Sequence, residues 1–547
     1  MDNKYLANLI FPNIDKSVED YKDIYPKREE GVVVTRFAPS PTGFMHIGNF
    51  QAAVIDHVVA RNKNGIFMLR NEDTDKAREN KEAVKVIMDI LNEYNMTPDE
   101  YQYEGEIVGN YGPYIQSERK EIYQAFIKHF IEIGRAYPCF CSKENLDELR
   151  EKQNNDKVRT GYYGEYASCK NLSVEEAVKR INNGEEYIIR FRSMGSHEVK
   201  FKFNDLVKGE LELPENDLDI VIMKKDGLPT YHFAHLVDDY LMGTTHVVRG
   251  EEWLSSVPVH VELFKTLGVK TPKYIHTPLI MKKEEDGKFR KISKRKDPEA
   301  NMSYYSEHGY PVEAVIESLM TIINSNYEEW HTANPDKNYL DFTYSPKKMS
   351  SSGALYDLDK LINISKNIIS KMSKEELCEK SYNWACDYSD ELKNVIDNDK
   401  EYYMDILNIE REQKKPRKDI AKYDEIIDNI WYMYDNIYDS KDKVYEYQNI
   451  TDIEEIKLIT KTYMDKYFDV SDKDVWFNNI KLLCDELGYA SNMKEYKEDP
   501  SKFKGNVADV STVLRVALTT KSMTPDLYEI MKLLGRDRIL NRYNNIR

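Results

Sequence analysis

A strand, a loop and a helix follow one another near the N-terminus and limit the first domain to a parallel α/β architecture. From Gly31 the chain reads VVVTRF, a β-branched run typical of a strand, and then APSPTGFMHIGN, a loop with two prolines and two glycines. Apolar residues at Phe50, Val54 and Val58 repeat every fourth position, which predicts a helix, and IFMLR at residues 66–70 is the next strand candidate. A strand, helix and strand of this length predict a parallel crossover.

The same order of elements returns in the middle of the chain. HVVRGEEW (246–253), a helical pattern over residues 259–267 and KYIHTPLIM (273–281) repeat strand, helix and strand. Before them, residues 150–215 alternate charged loops with short strand-like pieces, which predicts an insertion between two halves of one α/β domain. An amphipathic helix is expected over residues 116–133, with Ser117 as its N-cap.

The chain changes character after a polar, turn-rich stretch at residues 325–350. From residue 351 onward glycine is sparse and apolar residues recur at helical spacing, as in LYEIMKLLG (527–535). This pattern predicts an all-helical C-terminal half.

Charge and cysteine content exclude several classes of protein. The 547 residues include 78 Lys and Arg against 95 Asp and Glu, a formal charge of −17, so any nucleic acid must bind through local basic patches. The six cysteines, three of them at Cys139, Cys141 and Cys169, do not predict a disulfide framework. Without a signal peptide or a long apolar segment, the chain is expected to be cytoplasmic.

Two motifs have the composition of a phosphate-binding site. In the first loop the start of a helix offers unpaired N–H groups, Gly48 permits close approach of the backbone, and His46 can donate to a phosphate oxygen. Further along, KFRKISKRK (288–296) has six cations and no acid, which favours contact with a polyanion. Taken alone, each motif has a plain structural alternative, a turn or a solvated loop. Taken together they favour a functional site.

With these motifs the chain resembles the bacterial-type glutamyl-tRNA synthetases of class I. His46-Ile47-Gly48-Asn49 stands where that family has its HIGH-type signature, and Lys291-Ile292-Ser293-Lys294-Arg295 stands where it has its KMSKS-type loop. Further matching segments are RFAPSPTG (36–43), LRNEDTD (69–75), IQSER (115–119), AYPCFC (136–141), DGLPTYHFAHLVDDYLMGTTHVVRGEEWLSS (226–256), SSGALYDLDKL (351–361) and LRVALTTKSMTPDLYEIMKLLG (514–535). Together they cover most of the chain after residue 31.

The resemblance implies an α/β fold: a split Rossmann-type parallel-sheet catalytic domain with an inserted acceptor-binding domain, followed by an all-helical C-terminal anticodon-binding half. The expected domains are an N-terminal extension (1–30), the first Rossmann half (31–115), the inserted acceptor-binding domain (116–225), the second Rossmann half (226–285), the KMSKS-type loop with a stem-contact region (286–345) and the helical anticodon-binding region (346–547). The extension has no function that the sequence indicates.

The resemblance also implies the reaction, ligation of L-glutamate to the 3′ end of tRNA-Glu through a glutamyl adenylate, with ATP and Mg²⁺. Whether tRNA-Gln is a second substrate stays open, and a monomer is expected. The implied catalytic residues are His46, Gly48, Lys291 and Lys294. The implied ATP-binding residues are Ser40, His46, Gly48, Asn49, Glu252, Trp253 and Lys294. The implied glutamate-binding residues are Arg36, Ser40, Glu72, Tyr231, His235 and Arg249.

These roles agree with the chemistry of the side chains. Arginine suits a carboxylate because it can donate paired hydrogen bonds, so Arg36 and Arg249 are expected to bind glutamate, and Glu72 its α-ammonium group. Two positions depart from the family pattern. His235 stands where an Asn is usual, and Asn49 replaces the more usual Gly or His. The first change puts a polar contact in doubt, whereas the second is expected to be tolerated.

A structural zinc site and a tRNA contact are expected from two further groups of residues. Cys139, Cys141 and Cys169 match three zinc-ligand positions of some family members, Asn171 stands where a His ligand falls, and Tyr162 is a candidate fourth ligand. The alternative is a group of buried reduced thiols. The basic residues Lys414, Lys415, Arg417 and Lys418 are candidates for contact with tRNA phosphates, with a solvated loop as the alternative.

Three other functions are compatible with parts of this sequence. A glutamyl-queuosine tRNA-modifying enzyme shares the catalytic half but lacks an anticodon-binding half. A glutamine-specific synthetase is expected to lack the APSPTG and EDTD forms present here. A non-catalytic synthetase-like RNA-binding protein would be favoured only if Asn49 and His235 abolished activation.

Overall fold

A parallel sheet of four strands forms the centre of the first half of the chain, in the order β11-β10-β1-β2. The strands are β1 (Val34–Phe37), β2 (Ile66–Leu69), β3 (Tyr101–Tyr103), β4 (Glu106–Val108), β5 (Ala136–Cys139), β6 (Ile188–Phe191), β7 (Lys200–Asp205), β8 (Gly209–Pro214), β9 (Val221–Met223), β10 (His246–Gly250), β11 (Lys273–Thr277), β12 (Ile280–Lys283), β13 (Phe289–Lys291) and β14 (Ala354–Leu355). The structure is a computed structural model, and it describes residues 1–40, 43–74, 81–350 and 353–546.

Helices surround the sheet and make up nearly all of the C-terminal half. Those before residue 350 are α1 (Asn3–Ile10), α2 (Val18–Ile24), α3 (Ile47–Arg61), α4 (Lys81–Glu93), α5 (Lys120–Glu132), α6 (Lys143–Asn155), α7 (Val174–Asn182), α8 (Tyr231–Leu241), α9 (Val257–Leu267), α10 (Ser303–Glu307), α11 (Val312–Ile323) and α12 (Tyr327–Ala333). Those after it are α13 (Leu358–Lys371), α14 (Lys374–Tyr388), α15 (Asp390–Asn398), α16 (Lys400–Asn408), α17 (Ile426–Ile430), α18 (Asp435–Ser440), α19 (Ile453–Thr462), α20 (Lys473–Leu487), α21 (Met493–Glu498), α22 (Val507–Thr519) and α23 (Leu527–Asn544). None of the helices in the described part of the chain has the length and apolar character needed to cross a bilayer.

The chain forms two compact units. The first contains Met1–Tyr304 and Val315–Leu358, and the second contains Tyr305–Ala314 and Asp359–Arg547. The second unit has its own apolar core, in which Leu377, Ile406, Ile459, Leu514 and Ile530 are buried. The α/β prediction for the first unit and the helical prediction for the C-terminal half are therefore confirmed.

The predicted strand, helix and strand repeats are present in the first unit. β1 pairs in parallel with β2, so that Arg36 lies opposite Met68, and β10 pairs in parallel with both β1 and β11. β1 is buried along its whole length, as expected for the centre of a sheet that helices cover on both faces. The carboxyl ends of β1, β2, β10 and β11 thus meet at one edge.

The inserted segment forms small antiparallel sheets. β5, β6 and β9 make one sheet, and β7 and β8 form a hairpin in which Lys200 lies opposite Pro214. The hairpin ends its first strand at Asp205, a buried residue that packs near β11. This long-range contact becomes important for the site.

The first 30 residues belong to the core of the first unit. Leu6 and Phe11 from the region of α1, and Tyr21 from α2, are buried in one cluster with Phe126 and Phe130 of α5. After α2, both terminal nitrogens of Arg28 donate to the carboxylate of Glu100, at 2.6 and 2.7 Å. The N-terminal extension therefore stabilises this unit, which its sequence did not reveal.

Two local predictions need correction. Ser117 does not cap a helix, because a short 3₁₀ turn (Gln116–Arg119) precedes α5, and its N–H and hydroxyl instead donate to Asp73 at 2.8 and 2.6 Å. The helix predicted from LYEIMKLLG is confirmed as the start of α23, which continues to Asn544 with a kink at Gly535, whose φ of 75° is in the left-handed region. Finally, the segment after residue 350 is not helical at its start, since β14 pairs with β12. Of the matched family segments, residues 41, 42, 75, 351 and 352 lie outside the described residues.

Candidate active site

A cavity of about 840 Å³ lies at the carboxyl edge of the parallel sheet. Ligands bind at this edge in open parallel α/β sheets, because the strand ends leave a crevice between their loops. The lining residues that the sequence predicted are Arg36, Ser40, His46, Gly48, Asn49, Glu72, Tyr231, Arg249, Glu252, Trp253, Lys291 and Lys294. Residues from separate stretches of the chain therefore meet around one cavity, whereas His235 is not among the lining residues.

His46 is the N-cap of α3. Its Nδ1 accepts the N–H of Gly48 at 3.0 Å. Burial, with the charges of Lys294 and Lys291, lowers the pKa of His46 to about 4, so the imidazole is neutral near pH 7. Because Nδ1 is an acceptor, the ring proton is on Nε2, and the backbone of Ile292 is a further hydrogen-bond partner. The N–H of Gly48 that was expected to face a phosphate is engaged by this imidazole.

The basic loop lies against the first loop. The Nζ of Lys294 donates to the carbonyl oxygen of Phe44 at 2.5 Å, and burial lowers the pKa of this lysine. Arg290 anchors the base of the loop through two hydrogen bonds to Asp297, at 2.5 and 2.7 Å. Within the described ranges, neither Lys291 nor Lys294 lies within ion-pair distance of a carboxylate. Their positive charges are therefore available to an anion in the cavity.

A layer of buried ion pairs adjoins the cavity, which two of its members, Arg36 and Glu72, line. Its members are Arg36, Arg70, Arg119, Glu72, Asp238 and Asp239. Arg70 is fully buried and lies 2.6 Å from Asp239 and 2.8 Å from Glu72. Burial alone would raise the pKa of Asp239, but Arg70 and Arg36 hold it well below its usual range. Three arginines and three carboxylates balance one another, so this layer is held by its own charges.

Glu72 faces the cavity from this layer. One of its oxygens accepts from Arg70, while burial raises the pKa of Glu72 above its ordinary value despite the nearby Arg70 and Arg36. A cationic group of a ligand could bind the remaining oxygen. Its predicted role toward an ammonium group stays a prediction.

Arg249 differs from the other buried arginines because its partners are neutral. Its Nε donates to His276 Nε2 at 3.0 Å, and its Nη1 donates to His260 Nδ1 at 3.1 Å and to Tyr231 Oη at 3.4 Å. Nη2 donates to the carbonyl oxygen of Trp253 at 3.3 Å. In the part of the chain that the structure describes, no carboxylate pairs with it. A buried cation without a counter-charge favours an anionic ligand.

His235 lies behind the cavity wall. Its Nδ1 is 2.6 Å from Asp239 Oδ2, its Nε2 is 2.7 Å from Tyr274 Oη, and its ring stacks on Tyr231 at 6.0 Å. Burial lowers the pKa of His235 to about 4, although Asp239 acts in the opposite direction. In this arrangement the ring packs on Tyr231 and its Nε2 is hydrogen-bonded to Tyr274, whereas its Nδ1 lies at ion-pair distance from Asp239 without hydrogen-bond geometry.

Sequence reasoning missed several residues of the site. Asp238 and Asp239 interrupt the apolar face of α8, and two acids on a buried helix face were the available signal. Gln51 lines the cavity at 1% exposure, and among the described residues its Nε2 has no hydrogen-bond partner. An unpaired buried amide donor beside His46 is available to a ligand.

The three cysteines of the insertion form one group. The Sγ atoms of Cys139, Cys141 and Cys169 all lie within 4.8 Å of one another. The hydroxyl of Tyr162 is 3.5 Å from the first sulfur and 3.3 Å from the second, and it accepts the N–H of Cys169 at 2.9 Å. Three thiols and a phenol facing a common point have the donor chemistry of a tetrahedral zinc site.

The basic segment of the second unit is mostly solvent-facing. Lys414, Lys415 and Lys418 are exposed, whereas Arg417 pairs with Asp419 at 2.8 Å. The three lysines therefore keep the freedom to contact a phosphate backbone, and Arg417 is held in the loop.

Comparison with known proteins gives consistent matches over the whole chain. A family model described as the catalytic domain of class I tRNA synthetases (E and Q) matches residues 32–350, and a model described as an anticodon binding domain matches residues 391–547. A glutamate–tRNA ligase of Acetivibrio thermocellus is 47% identical over 549 residues, which cover all of both chains. One from Clostridium perfringens strain SM101 is 48% identical over 547 residues, 99% of each chain. The crystal structure of a glutamate tRNA ligase from Elizabethkingia meningosepticum, in complex with its amino acid, has a TM-score of 0.75 at 25% identity and covers 94% of this chain and 100% of that chain.

Proposed function

We propose that this chain joins L-glutamate to the 3′ end of tRNA at the expense of ATP. The chain belongs to the glutamate–tRNA ligase family of class I tRNA synthetases. The observation that carries this function is that one cavity is lined by an arginine and two lysines, none of which has a carboxylate partner among the described residues. Arg249 suits a carboxylate, and Lys291 and Lys294 suit phosphates. The alternatives, a tRNA-modifying enzyme without an anticodon-binding half and a non-catalytic RNA-binding protein, are not supported by full-length relatives of this kind.

In the activation step the α-carboxylate of glutamate attacks the α-phosphorus of ATP. An oxygen–phosphorus bond forms to give glutamyl adenylate, and the bond to the bridging oxygen breaks to release pyrophosphate. Charge stabilisation matters more than proton transfer in such a step. His46 has a proton on Nε2 for a phosphate oxygen, and Lys291 and Lys294 neutralise the departing pyrophosphate. Mg²⁺ accompanying ATP would supply further neutralisation of the phosphate charge.

Access of ATP requires a local exchange of contacts. The Nζ of Lys294 now donates to the carbonyl oxygen of Phe44, and the backbone of Ile292 is bonded to His46. Phosphate oxygens are stronger acceptors than these carbonyls because they are charged. The basic loop therefore moves from protein partners to ATP when the nucleotide binds. Ser40, Asn49, Glu252 and Trp253 line the same cavity and complete the nucleotide site.

Selection of glutamate rests on charge. Glutamine has an amide where glutamate has a second carboxylate, so only glutamate supplies the anion that Arg249 lacks within the protein. Arg36 is already paired with Asp239 at 3.4 Å, which makes it the weaker anion site. Glu72 and Tyr231 complete the glutamate site, the first toward the ammonium group and the second as a wall.

The second step transfers glutamate to the terminal adenosine of tRNA, on its 2′-hydroxyl as in class I. We assign the acceptor end to residues 116–225, between the Rossmann halves 31–115 and 226–285, and a stem contact to residues 286–345. Anticodon reading belongs to the helical region 346–547, to which the exposed Lys414, Lys415 and Lys418, with Arg417, contribute phosphate contacts. tRNA-Gln is a candidate second substrate.

We further propose that the cysteine group holds structural zinc. Cys139, Cys141 and Cys169 would bind it as thiolates, and the phenol oxygen of Tyr162 would complete the set. A bound zinc ion would tie the end of β5 to the loop that contains Cys169. The six cysteines are free, which supports a reducing compartment, the cytoplasm. We also propose that the protein is a monomer, so light scattering should give the mass of one chain.

Aminoacylation with labelled glutamate tests the function. Purified tRNA-Glu and tRNA-Gln are assayed separately, with Lys294→Ala as the inactive variant and Lys288→Ala as its matched control. Lys288 belongs to the same basic segment but is highly exposed and pairs with Asp286. Charging of tRNA-Glu by the wild type and the control, and its loss in Lys294→Ala, supports the proposal. No charging of either tRNA by the wild type rejects it.

A further inference from the structure

We propose that Asp205 and His276 are positioning residues that hold Arg249 in the orientation required by the carboxylate of glutamate. Neither residue is among those that line the cavity. The inference rests on the proposed function, because it concerns the same glutamate site.

The three residues form a chain of buried hydrogen bonds. His276 Nδ1 lies 2.6 Å from Asp205 Oδ2, and its Nε2 lies 3.0 Å from Arg249 Nε. His276 and Asp205 are 0% and 1% exposed. An arginine nitrogen can only donate, so His276 Nε2 must be the acceptor and the ring proton must be on Nδ1. The carboxylate of Asp205 thus fixes the one tautomer that can hold Arg249.

The imidazole of His276 lies between Asp205 and Arg249, and this separation leaves Arg249 free to bind a substrate carboxylate. A carboxylate placed directly against Arg249 would occupy the paired N–H groups that a substrate carboxylate needs. Asp205 instead acts through His276, on the Nε side of the guanidinium. The other terminal groups of Arg249 contact neutral atoms, and its plane packs over the Tyr274 ring at 4.6 Å. The arginine is oriented, yet its charge remains available.

Asp205, the residue that fixes His276, lies outside the Rossmann sheet. Asp205 ends β7, and its Oδ1 accepts the N–H groups of Val207 and Lys208 at 2.9 and 2.8 Å. Lys208 in turn forms an ion pair with Glu251, just after β10. The β7–β8 hairpin therefore contacts both His276, the partner of Arg249, and Glu251, two residues after Arg249. A segment of the insertion orients a residue of the glutamate site.

The substitution Asp205→Asn tests this arrangement with little change in shape. Asn can keep its Oδ1 on the hairpin turn, but an amide group replaces Oδ2. That amide donates to His276 Nδ1, so the ring proton moves to Nε2. Two N–H groups, those of His276 Nε2 and Arg249 Nε, then face each other and no hydrogen bond can form between them. The matched control is Glu19→Gln, which removes the same charge from an exposed position of α2, in the N-terminal extension.

The readouts are the KM for glutamate, the KM for ATP, kcat and the melting temperature, measured on the full chain with tRNA-Glu. We expect Asp205→Asn to raise the KM for glutamate by about tenfold or more, the scale of a lost hydrogen bond to a charged group, without raising the KM for ATP. Glu19→Gln should leave all four values unchanged. A glutamate KM within about twofold of wild type overturns the inference, as does an equal rise of both KM values with a lower melting temperature. Absence of charging by the wild type itself is the distinct result that rejects the proposed function, and this inference with it.

Discussion

Replacing Arg249 by methionine should abolish glutamate activation without unfolding the protein, whereas replacing Arg70 by methionine should destabilise it. Both arginines are buried in the same unit. They differ in their partners, since Arg70 pairs with Asp239 and Glu72, and Arg249 contacts neutral groups. The contrast separates a residue that the fold needs from one that the substrate needs.

The magnitudes follow from these partners. Removing Arg70 leaves buried carboxylates without their cation, which costs about 3–5 kcal/mol for a broken buried pair. Asp239 retains Arg36 at 3.4 Å, so the lower end of that range is expected. Removing Arg249 leaves buried acceptors on His276 and His260 unpaired, at about 1–3 kcal/mol each, but it also removes an uncompensated charge whose burial costs several kcal/mol. The two effects offset one another to within about 1–2 kcal/mol.

Glutamate activation should be reduced more by Arg249→Met than by Arg70→Met, the reverse of their order in stability. Loss of the partner of a desolvated carboxylate costs about 3–5 kcal/mol, or roughly 10²–10⁴ in kcat/KM for glutamate. The assay is glutamate-dependent exchange between ATP and pyrophosphate with tRNA-Glu present, combined with urea unfolding of each variant. If Arg249→Met unfolds as readily as Arg70→Met, or retains wild-type activity, the assignment of Arg249 as the anion site is refuted.

Three further changes have expected outcomes. Burial lowers the pKa of His46, His57 and His235 to about 4, below the unfolded value of 6.5, so the unfolded state binds more protons between these two pH values. The free energy of unfolding should therefore fall as the pH drops through this window, by about 1.4 kcal/mol per pH unit for each histidine. A melting temperature that is flat from pH 7.5 to 5.5 would contradict this prediction. Phe11→Ala should destabilise the first unit by about 3–5 kcal/mol in urea unfolding, because the side chain is buried beside α5, and a change below about 1 kcal/mol would show that the N-terminal extension contributes little. Metal analysis of purified protein should find about one equivalent of zinc, which Cys169→Ser should lower, while less than about a tenth of an equivalent in the wild type would reject the site.

Local patterns in the sequence predicted the central sheet because each pattern depends on neighbouring residues. The β-branched run before Arg36 and the four-residue spacing from Phe50 specify a strand and a helix without reference to the rest of the chain. Their capping was less predictable. Ser117 has the side chain of an N-cap, but the carboxylate of Asp73 competes for it successfully.

The outline of the site was predictable from the family resemblance, and its charge balance was not. Resemblance identified Arg36, Glu72 and Arg249 as one group, although only the structure shows that Arg249 alone of these lacks a charged partner among the described residues. The support from Asp205 depends on a hairpin 71 positions away from His276, and no local pattern encodes such a contact. His235 was expected to touch glutamate because of its position in the motif, but its ring lies behind Tyr231.

The most direct test of the account is calorimetric titration with a non-hydrolysable sulfamoyl analogue of glutamyl adenylate, which occupies the glutamate and nucleotide sites at once. We expect one molecule to bind per chain, with at least about hundredfold weaker binding to Arg249→Met and to the matching glutaminyl analogue. Equal affinity for the two analogues, or unchanged binding by Arg249→Met, would contradict the claim that Arg249 selects glutamate in this cavity.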